Sequence, residues 1–564
     1  MHLSFKQLSS ILLFASLSSA ATVTLGNTTI VGQDISSQGL EFFGGIPFAE
    51  PPVGNLRLKP PVQKIFLNIP TFDATSFGAS CLQVPVFGSA DLSNTTLSED
   101  CLFINIIRPA GIEGRDAALL PVMVYIYGGG FLIDGPAPNA NVTRIVARSV
   151  ERGTPVIYAS FNYRLGPLGF PAGQEAADKG ALNLGLRDQL AALGWIQTNI
   201  AAFGGDKDKV TLFGSSAGAV SISTLFFNSD LEKYARAAIM ESGIAGTTIS
   251  FDSARRQNRW ESFVAAIPEC RDTAKSNNTF DCLRRGNVGT THFIQAIRTS
   301  LDEADELFPW VPTIDGPEGL FPELASELLK KGQYSKIPFI TGNTLDEGTI
   351  FTASTVIASE QSMREALIGN FTTVSGISTP DPELDNAVNT VLRLYPDIPA
   401  LGSPFNTGNE TFGLSTTYKR LSAIYTDMAF HFPRRSWIRT LAQAGVKAYG
   451  YQFSYPELNP SPALGVAHSS ELNYVVGFAY FPSSFVPSAT AARVSEQIID
   501  YWVSFATSLD PNDGLGCDRP VWPQYTVDDP ALLDLNGSDT GPLLDTYRND
   551  QFDFVDSNPV IFRH

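Results

Sequence analysis

Short apolar runs separated by turn residues recur along the chain and predict buried strands. Three of them occupy residues 121–127 (PVMVYIY), 154–160 (TPVIYAS) and 209–213 (KVTLF), each bounded by glycine or proline. Continuous apolar runs of this length are typical of strands buried on both faces of a parallel sheet. Between the second and the third lies ALNLGLRDQLAALGWIQTNIAAF (181–203), whose apolar residues recur at helical spacing. A further strand, KIPFITGN (336–343), follows much later in the chain.

Strands that alternate with helices predict an α/β fold with an open, mostly parallel sheet. In such sheets the functional site lies beyond the carboxyl ends of the strands. We expect the long segments between the later strands to be helical insertions over the top of the sheet. The chain of 564 residues shows no linker, internal repeat or low-complexity tract. This length is compatible with one large domain that carries insertions and also with several small domains.

The first residues have the pattern of a secretory signal. Lys6 precedes an apolar run over residues 11–17, and small residues follow at positions 18–21. This order predicts a signal peptide over residues 1–20, with a buried first helix as the alternative. No later apolar stretch is long enough to cross a bilayer, and the chain ends in IFRH without a hydrophobic tail. We therefore expect a secreted, extracellular protein with no stable membrane anchor.

The charge balance and the glycosylation sequons agree with that compartment. The net charge of -18 disfavours nucleic acid or an anionic membrane as a partner. N-x-S/T sequons mark surface loops in secreted proteins. They occur at Asn27, Asn94, Asn141, Asn277, Asn370, Asn409 and Asn536. We predict that these asparagines are the glycosylation sites.

Five cysteines are present. In an oxidising compartment the simplest pairing closes two local loops, Cys81 with Cys101 and Cys270 with Cys282. A bridge of that loop length adds about 3 kcal/mol to stability in the chain-entropy model. Cys517 is left over, and other pairings remain open.

Two adjacent serines follow the third strand in KVTLFGSSAGAVS (209–221). A Gly-x-Ser-x-Gly turn between a strand and a helix holds its serine in a strained backbone conformation, exposed for nucleophilic attack. Centring this pattern on Ser216 places Gly214 and Gly218 where strand and helix pass closely. Centring it on Ser215 places larger side chains there, which would clash. We therefore predict that Ser216 is the nucleophile, with a glycine-rich turn without chemistry as the alternative.

A serine hydroxyl needs a general base, which an acidic side chain orients. Of the five histidines, His2 belongs to the signal and His564 is the final residue. His292 has an ordinary helix position in TTHFIQAI, and His431 in MAFHFPRRSW lies among apolar residues typical of a core. His468 follows a loop rich in Pro, Gly and Ala, which can present it at a loop tip. We predict His468 as the base, with His431 as the alternative.

The acid is expected between the serine and the histidine in chain order. TGNTLDEGTIF places Asp346 and Glu347 just after the strand at 336–343. The developing oxyanion needs backbone N–H donors without side chains in the way. Three glycines in YGGGF (127–131) end the first strand and provide such donors. No Gly-Lys-Ser/Thr follows them, which argues against a phosphate-binding loop.

Together these residues resemble the type-B carboxylesterase/lipase family, which includes cholinesterases and fungal lipases. The resemblance covers most of the chain after the signal. The matching motifs, in the expected order, are FGGIPFAEPPVGNLRLKPP, SEDCLFINIIRP, YGGGF, NYRLGPLGF, NLGLRDQLAALGWIQTNIAAFGGD, VTLFGSSAGA, DEGTIF and AHSSELNYVVG. Membership implies an α/β-hydrolase fold: a large, mostly parallel central sheet flanked by helices, with helical insertions over the active site. It also implies a single catalytic domain over residues 21–564.

The resemblance implies a role for each motif. Ser216 corresponds to the nucleophile, Glu347 rather than Asp346 to the acid, and His468 to the base. The implied oxyanion-hole donors are the backbone N–H groups of Gly129, Gly130 and Ala217. In the family the same two disulfides are formed, Cys81 with Cys101 and Cys270 with Cys282. The first of them encloses a loop that forms part of the lid or gorge wall.

Three departures from the family pattern concern the substrate. Ser215 stands where family members usually carry glutamate, and the lost negative charge argues against a cationic substrate. The loop between Cys81 and Cys101 contains no tryptophan and so lacks the cation-binding aromatic residue of cholinesterases. It is also shorter than the lid of similar fungal lipases, which is typical of an esterase or of a lipase with an open site. Ser469 replaces the glycine that is common after the histidine, as in the fungal lipase branch.

We therefore expect a secreted serine carboxylesterase or lipase that hydrolyses uncharged esters with a sizeable apolar part through an acyl-enzyme. Steryl, feruloyl and triacylglycerol esters all remain open as substrates, and contact with a lipid interface is compatible with them. No metal or other cofactor is expected. The rival interpretations are a non-catalytic binding protein on the same fold and a serine peptidase. The aromatic stretches STLFF (223–227) and GFAYFPSSF (477–485) either line the pocket or pack in the core.

Overall fold

The computed structural model describes most of the chain. The described residues are 21–35, 38–86, 92, 95–112, 118–135, 143–304, 306–352, 359–372, 381–456, 461–478 and 485–564. The predicted signal peptide (1–20), the sequons at Asn94 and Asn141 and part of the loop between Cys81 and Cys101 lie outside them. What the sequence predicts for these parts stays a prediction.

The described residues form two β-sheets. Their strands are β1 (Thr22–Leu25), β2 (Thr28–Val31), β3 (Gln33–Ile35), β4 (Leu40–Pro47), β5 (Thr71–Asp73), β6 (Phe103–Pro109), β7 (Leu120–Ile126), β8 (Ile157–Phe161), β9 (Gly205–Ser215), β10 (Ala237–Glu241), β11 (Phe339–Thr344), β12 (Ala448–Phe453), β13 (Ala531–Leu535) and β14 (Gly541–Leu544). The small sheet has the order β1-β2-β5, and the large eleven-stranded sheet has the order β14-β13-β12-β11-β10-β9-β7-β8-β6-β4-β3.

The centre of the large sheet is parallel. Neighbouring strands from β13 across to β8 all run in the same direction. β14 at one edge and β6, β4 and β3 at the other are antiparallel to their neighbours. The carboxyl ends of β7, β9, β11 and β12 therefore meet along one edge of the sheet, the usual place for a site in this architecture.

Helices flank the sheet and fill the long segments between strands. They are α1 (Thr143–Glu151), α2 (Gly166–Gly169), α3 (Gln174–Asp178), α4 (Leu184–Asn199), α5 (Ala217–Asn228), α6 (Gln257–Ala265), α7 (Thr279–Leu283), α8 (Thr290–Asp302), α9 (Ala325–Lys331), α10 (Thr349–Thr352), α11 (Glu360–Phe371), α12 (Pro382–Leu394), α13 (Thr416–Tyr425), α14 (Phe432–Gln443), α15 (Leu472–Val475), α16 (Ala489–Ser508) and α17 (Asn549–Asp556). A short π-helix, Thr426–His431, joins α13 to α14.

The apolar pattern located four of the parallel strands at the centre of the large sheet and missed β10, β12 and β13. β7, β9, β11 and α4 lie where the sequence predicts them, and the α/β fold class is confirmed. β8 begins only at Ile157, after Pro155, which has no N–H to donate to a neighbouring strand. β10 has five residues, AAIME, and two are alanines, which favour strands poorly. A short run of small residues therefore gave no signal, although the strand is buried in the middle of the sheet.

The buried apolar side chains of the described residues form two hydrophobic clusters. The larger surrounds the main sheet, and the smaller lies among α11, α12, α13 and α17. Phe226 and Phe227 of the STLFF stretch belong to the larger cluster and pack against Trp437. Core packing therefore explains STLFF, whereas residues 479–484 of GFAYFPSSF lie outside the described residues.

Both predicted disulfides are present in the structure. Cys81 is bonded to Cys101 and Cys270 to Cys282. Cys517 is a free, half-buried thiol, and burial raises its pKa to about 11. Burial and the neighbouring carboxylate of Asp500 favour the protonated thiol, which is a weaker nucleophile than the thiolate.

Candidate active site

Ser216 occupies a sharp turn between β9 and α5. β9 ends at Ser215 and α5 begins at Ala217, so a single residue connects strand and helix. Its backbone has φ 56° and ψ -124°, a combination that costs energy for any residue with a side chain. The Ser216 N–H donates to the carbonyl oxygen of Glu241 at 2.8 Å and so fixes the turn to β10. The hydroxyl is thereby held beyond the carboxyl end of β9.

Two glycines allow the strand and the helix to approach each other. A Cβ atom on Gly218 would lie 1.9 Å from the carbonyl oxygen of Ile126, and one on Gly214 would lie 2.5 Å from the same oxygen. Both distances are far inside van der Waals contact, because β7 passes directly beside the turn. This close approach of β7 is the physical reason why the turn needs glycine on both sides of its central serine, as the spacing around Ser216 provides.

The two adjacent serines have different surroundings. Ser215 is 1% exposed, and its hydroxyl has no hydrogen-bond partner among the described residues. Ser216 is partly exposed, and its Oγ lies 2.8 Å from Nε2 of His468. The structure therefore brings Ser216, and not Ser215, to a histidine.

Glu347 contacts the other nitrogen of the same imidazole. Its Oε2 lies 2.5 Å from Nδ1 of His468, and its Oε1 accepts a hydrogen bond from the Thr344 N–H at 2.8 Å. The side chain of Glu347 is fully buried and that of His468 is 8% exposed. A carboxylate only accepts hydrogen bonds, so in the neutral imidazole Nδ1–H donates to Glu347. Nε2 is then free to accept from the Ser216 hydroxyl.

Asp346, the neighbouring acid, has a different place. Its carboxylate accepts hydrogen bonds from Ser403 Oγ at 2.8 Å, from the Phe405 N–H at 2.7 Å and from the Val466 N–H at 2.9 Å. Burial raises its pKa to about 6. Asp346 therefore ties the loop after β11 to the segment that leads to His468. Its carboxylate binds backbone N–H groups and so fixes the position of these loops.

The other described histidines are directed elsewhere. His431 is fully buried, its Nε2 lies 2.8 Å from the carbonyl oxygen of Thr344, and burial lowers its pKa well below the ordinary value. His292 on α8 pairs with Glu269. His564 lies on the wall of the cavity described below, and burial lowers its pKa to about 4. The alternative base, His431, is thus directed to backbone and not to a serine.

The glycine loop after β7 lies against the Ser216 turn. Gly129 and Gly130 have φ values of 79° and 63°, in the left-handed region that favours glycine. A Cβ on Gly128 would lie 3.0 Å from the Cβ of Ser216. Ala217 is the first residue of α5, where backbone N–H groups have no partner within the helix. Loop and helix end therefore place backbone donors next to the serine.

Gln83 connects this glycine loop to the first disulfide. Its Oε1 accepts from the Asp134 N–H at 2.8 Å, and its Nε2 donates to the carbonyl oxygens of Asp134 at 2.9 Å and Cys81 at 3.2 Å. The side chain is buried, so these bonds are shielded from water. No motif in the sequence pointed to this glutamine.

Two phenylalanine rings pack together against the histidine. The ring of His468 lies 5.1 Å from that of Phe351 and 4.9 Å from that of Phe430, and the two phenylalanines stack on each other at 5.8 Å. The stacked pair covers one side of the imidazole and limits the access of water there. Sequence reasoning did not single them out, although both stand in the quoted motifs DEGTIF and MAFHF.

Ser216 opens into a cavity of about 1140 Å³. This volume exceeds the roughly 300–1,000 Å³ of pockets that bind drug-sized ligands. The apolar part of the wall includes Phe131, Leu132, Val220, Phe308, Val311, Phe351, Met428 and Phe430. Gly130 and Ala217 line the same cavity. A ligand bound here therefore has both the serine and the backbone donors within the same enclosure.

Two buried carboxyls lie behind the histidine. Glu241 accepts from Trp502 Nε1 at 2.6 Å, and Glu471 accepts from Ser242 Oγ at 2.7 Å. One oxygen of each carboxyl, Oε2, has no hydrogen-bond partner among the described residues. Burial, together with the Coulombic effect of Glu471, raises the pKa of Glu241 to about 8. Burial, together with the charge of Glu347, raises the pKa of Glu471 to about 7.

Within the described ranges, no group of three or more His, Cys, Asp or Glu side chains could hold a metal ion. The helices of that same part of the chain include none long and apolar enough to cross a membrane.

The described sequons differ in exposure. Asn27, Asn277 and Asn409 are exposed, and Asn536 is half-buried. Asn370 lies on the wall of the cavity, where its side-chain nitrogen donates to the Tyr425 hydroxyl at 3.4 Å. The first three positions are thus the ones most accessible to a glycan.

Known proteins match this chain over nearly its whole length. The model of the carboxylesterase family matches residues 19–555. Lipase 1 of Geotrichum candidum is 32% identical, with 97% of each chain covered. Secreted lipase 1 of Botryotinia fuckeliana is 34% identical, with 96% of this chain and 93% of the relative covered.

The crystal structure of EstA from Aspergillus niger has the same overall structure. It superimposes with a TM-score of 0.81 at 25% identity, covering 97% of this chain and 99% of the other. Hydrolysis of carboxylic esters is the activity that the family, the lipases and this esterase have in common. The chain therefore belongs to the carboxylesterase family and is a carboxylic ester hydrolase.

Proposed function

We propose that the protein is a secreted serine esterase or lipase in which Ser216, His468 and Glu347 form the catalytic triad. The observation that carries the proposal is the line of contacts from Ser216 Oγ through His468 to Glu347, at 2.8 Å and 2.5 Å. Nucleophile, base and orienting acid in this order are the components of acyl transfer by a serine hydrolase. A non-catalytic binding protein has no need for such an arrangement.

In the proposed reaction, the Ser216 oxygen attacks the ester carbonyl while Nε2 of His468 takes the hydroxyl proton. The imidazolium that results faces the carboxylate of Glu347, which stabilises its charge. The carbonyl oxygen becomes an oxyanion and accepts hydrogen bonds from the backbone N–H groups. These donors are proposed to be Gly129, Gly130 and Ala217.

The tetrahedral intermediate then expels the alcohol, which receives the proton from His468. An acyl group remains on Ser216 Oγ as an ester. Water, deprotonated by the same imidazole, attacks the acyl carbon of this intermediate. The bond from that carbon to Ser216 Oγ then breaks, His468 returns the proton to the serine oxygen, and the carboxylic acid is released. The histidine thus moves one proton in each half of the cycle, and the enzyme returns to its starting state.

The cavity supports an uncharged ester with a sizeable apolar part as the substrate. Its phenylalanines provide an apolar wall, and Ser215 brings no charge to the turn. Burying one CH₂ group of an acyl chain is worth about 0.8 kcal/mol. We therefore expect kcat/KM to rise along a series of esters until the chain fills the apolar part of the cavity.

Initial rates on p-nitrophenyl esters from acetate to palmitate, below and above micelle formation, test this proposal. A maximum at long chains supports a lipase or steryl esterase, and a maximum at short chains points to an esterase with a small functional pocket. Equal rates for the wild type and Ser216→Ala would contradict the proposed nucleophile. No activity on any ester would favour a binding protein.

We further propose that residues 1–20 are a signal peptide and that residues 21–564 form one catalytic domain. The secretion of the relative from Botryotinia fuckeliana, as its name states, supports the first point. The continuous eleven-stranded sheet, which draws strands from both ends of the chain, supports the second. Sequencing of the amino terminus of the protein recovered from culture medium tests the cleavage site.

A further inference from the structure

The π-helix Thr426–His431 lies directly against the loop that carries Glu347. The hydroxyl of Thr426 accepts from the Gly348 N–H at 2.8 Å, and Phe430 packs on the ring of His468. π-helical turns are rare and occur often at functional sites, because the widened turn redirects side chains. This segment therefore contacts the acid loop and the base together.

His431 at the end of this segment reaches Glu347 through a single residue. Its Nε2 lies 2.8 Å from the Thr344 carbonyl oxygen, and the Thr344 N–H donates to Glu347 Oε1 at 2.8 Å. Thr344 is the last residue of β11 and is completely buried. Thr344 thus binds Glu347 through its N–H group and His431 through its carbonyl oxygen.

Arg548 determines which nitrogen of His431 carries the proton. Its Nη2 lies 3.0 Å from His431 Nδ1, and a guanidinium only donates hydrogen bonds. Nδ1 therefore accepts, and Nε2–H is left to donate to the Thr344 carbonyl. Arg548 is in turn fixed by two contacts of 2.6 Å to the carboxylate of Asp427.

The charges around His431 keep it neutral. Besides Arg548, the cations Arg434 and Arg435 face it, and the anion Asp427 lies 3.5 Å from Nδ1 on its own helix. Tyr547 packs edge-on against the ring. Burial and the facing arginines lower the pKa of His431 well below its ordinary value, so the same tautomer persists across the working pH range.

We propose that His431 is a positioning residue for the acid: through its bond to the Thr344 carbonyl it holds the N–H that orients Glu347 toward His468. The inference rests on the triad proposed above. Loss of the bond loosens the end of β11 at Thr344, which stays paired with Phe453, and lets the Glu347 carboxylate turn away from the imidazole. A misplacement of about 1 Å in such a group costs up to about a hundredfold in rate.

Two amide substitutions separate this role from a general structural one. Glutamine places its amide nitrogen as many bonds from Cα as Nε2, whereas asparagine places its nitrogen where Nδ1 stands. We expect His431→Gln to retain kcat within about threefold of wild type. His431→Asn and His431→Leu are expected to lose about tenfold to a hundredfold in kcat with little change in KM. His292→Leu, at a half-exposed helix position, is the matched control and is expected to have wild-type kinetics.

The pH dependence of kcat/KM is the second readout, because its midpoint does not depend on the amount of folded enzyme. In His431→Asn and His431→Leu the acid limb is expected to move to lower pH, since a base whose carboxylate partner turns away is protonated less readily. An acid limb unchanged from wild type in all three variants would overturn the inference, as would equal losses of kcat in His431→Gln and His431→Asn. Ser216→Ala, measured in parallel, tests the triad itself: full activity in that variant removes the proposed function.

Discussion

The Ser216 turn and the loops that carry Glu347 and His468 are held in place by different kinds of force. The turn is fixed by hard contacts between backbones, since β7 leaves no room for a side chain at Gly214 or Gly218. The two loops are fixed by side-chain hydrogen bonds, through Asp346 on one side and His431 on the other. Both kinds of contact join residues far apart in sequence, since Gly214 and Gly218 face Ile126, but the steric requirement is visible in the chain itself as a local spacing of glycines around the serine. We therefore expect the geometry of the Ser216 turn to survive substitution of polar side chains, and the geometry of the two loops to be sensitive to it.

The largest expected effect tests the turn. Ser216→Ala removes the proposed nucleophile and is expected to lower kcat/KM by about 10⁴- to 10⁶-fold. Ser215→Ala removes a buried hydroxyl without a partner, so kcat/KM is expected to stay within about threefold of wild type. The kcat/KM of both variants is measured on the preferred p-nitrophenyl ester. Thermal unfolding checks that each variant has the unfolding temperature of the wild type. The assignment is wrong if the two variants exchange these results.

The next effect tests the loops. Glu347→Gln preserves the shape of the acid and removes its charge, and is expected to lower kcat by about 10² to 10⁴. Asp346→Asn weakens the hydrogen bonds between the two loops and is expected to lower the free energy of unfolding by about 1–3 kcal/mol. Its loss of kcat is expected to be about tenfold. Denaturant unfolding and steady-state kinetics are measured on both variants. A larger loss of kcat in Asp346→Asn than in Glu347→Gln would show that Asp346 is the acid of the triad.

The smallest expected effect is on the pH dependence of stability, through Glu241 and Glu471. Glu241 binds the Ser216 turn through its backbone, and Glu471 lies three residues after His468. In the folded protein the pKa values of about 8 and about 7 lie above the ordinary value of 4.5. The native state therefore keeps protons that the unfolded chain has already released. This contribution to stability is complete below about pH 4.5 and is lost as the pH rises through 7 and 8.

Glu241→Gln keeps the bond to Trp502 available and removes one titrating group of this pair. We expect the fall in unfolding temperature between about pH 5 and about pH 8 to become shallower than in the wild type. Differential scanning calorimetry across that range measures the slope. A slope equal to that of the wild type would show that Glu241 does not titrate in the folded protein.

The different forces also explain what the sequence could predict. The fold class and the choice of Ser216 follow from local patterns, because apolar runs and glycine spacing act within a few residues of the chain. Asp346 and Glu347 are adjacent acids at the end of one strand, and no local property separates them. Only the family resemblance preferred Glu347, and the structure shows Asp346 engaged by Val466, 120 residues away.

Contacts of the same long-range kind account for what the sequence did not indicate. Phe351 and Phe430 meet on the histidine although each comes from a different part of the chain, and Gln83 meets Asp134 at a separation of 51 residues. His431 illustrates the point best. Its apolar neighbours correctly indicated a buried histidine, but its bond to Thr344, 87 residues earlier, depends on the packing of α14 against β11.

The link from Gln83 to the glycine loop has a consequence for the maturation of the protein. Gln83 is two residues from Cys81, so its position depends on the bridge to Cys101, and it holds Asp134 just beyond the glycines. The strands of the main sheet contain no cysteine, so we expect the sheet to assemble also in a reducing cytosol. We expect chains made there to contain the sheet and to turn over esters slowly. Oxidation after purification would then raise the specific activity without further folding of the sheet.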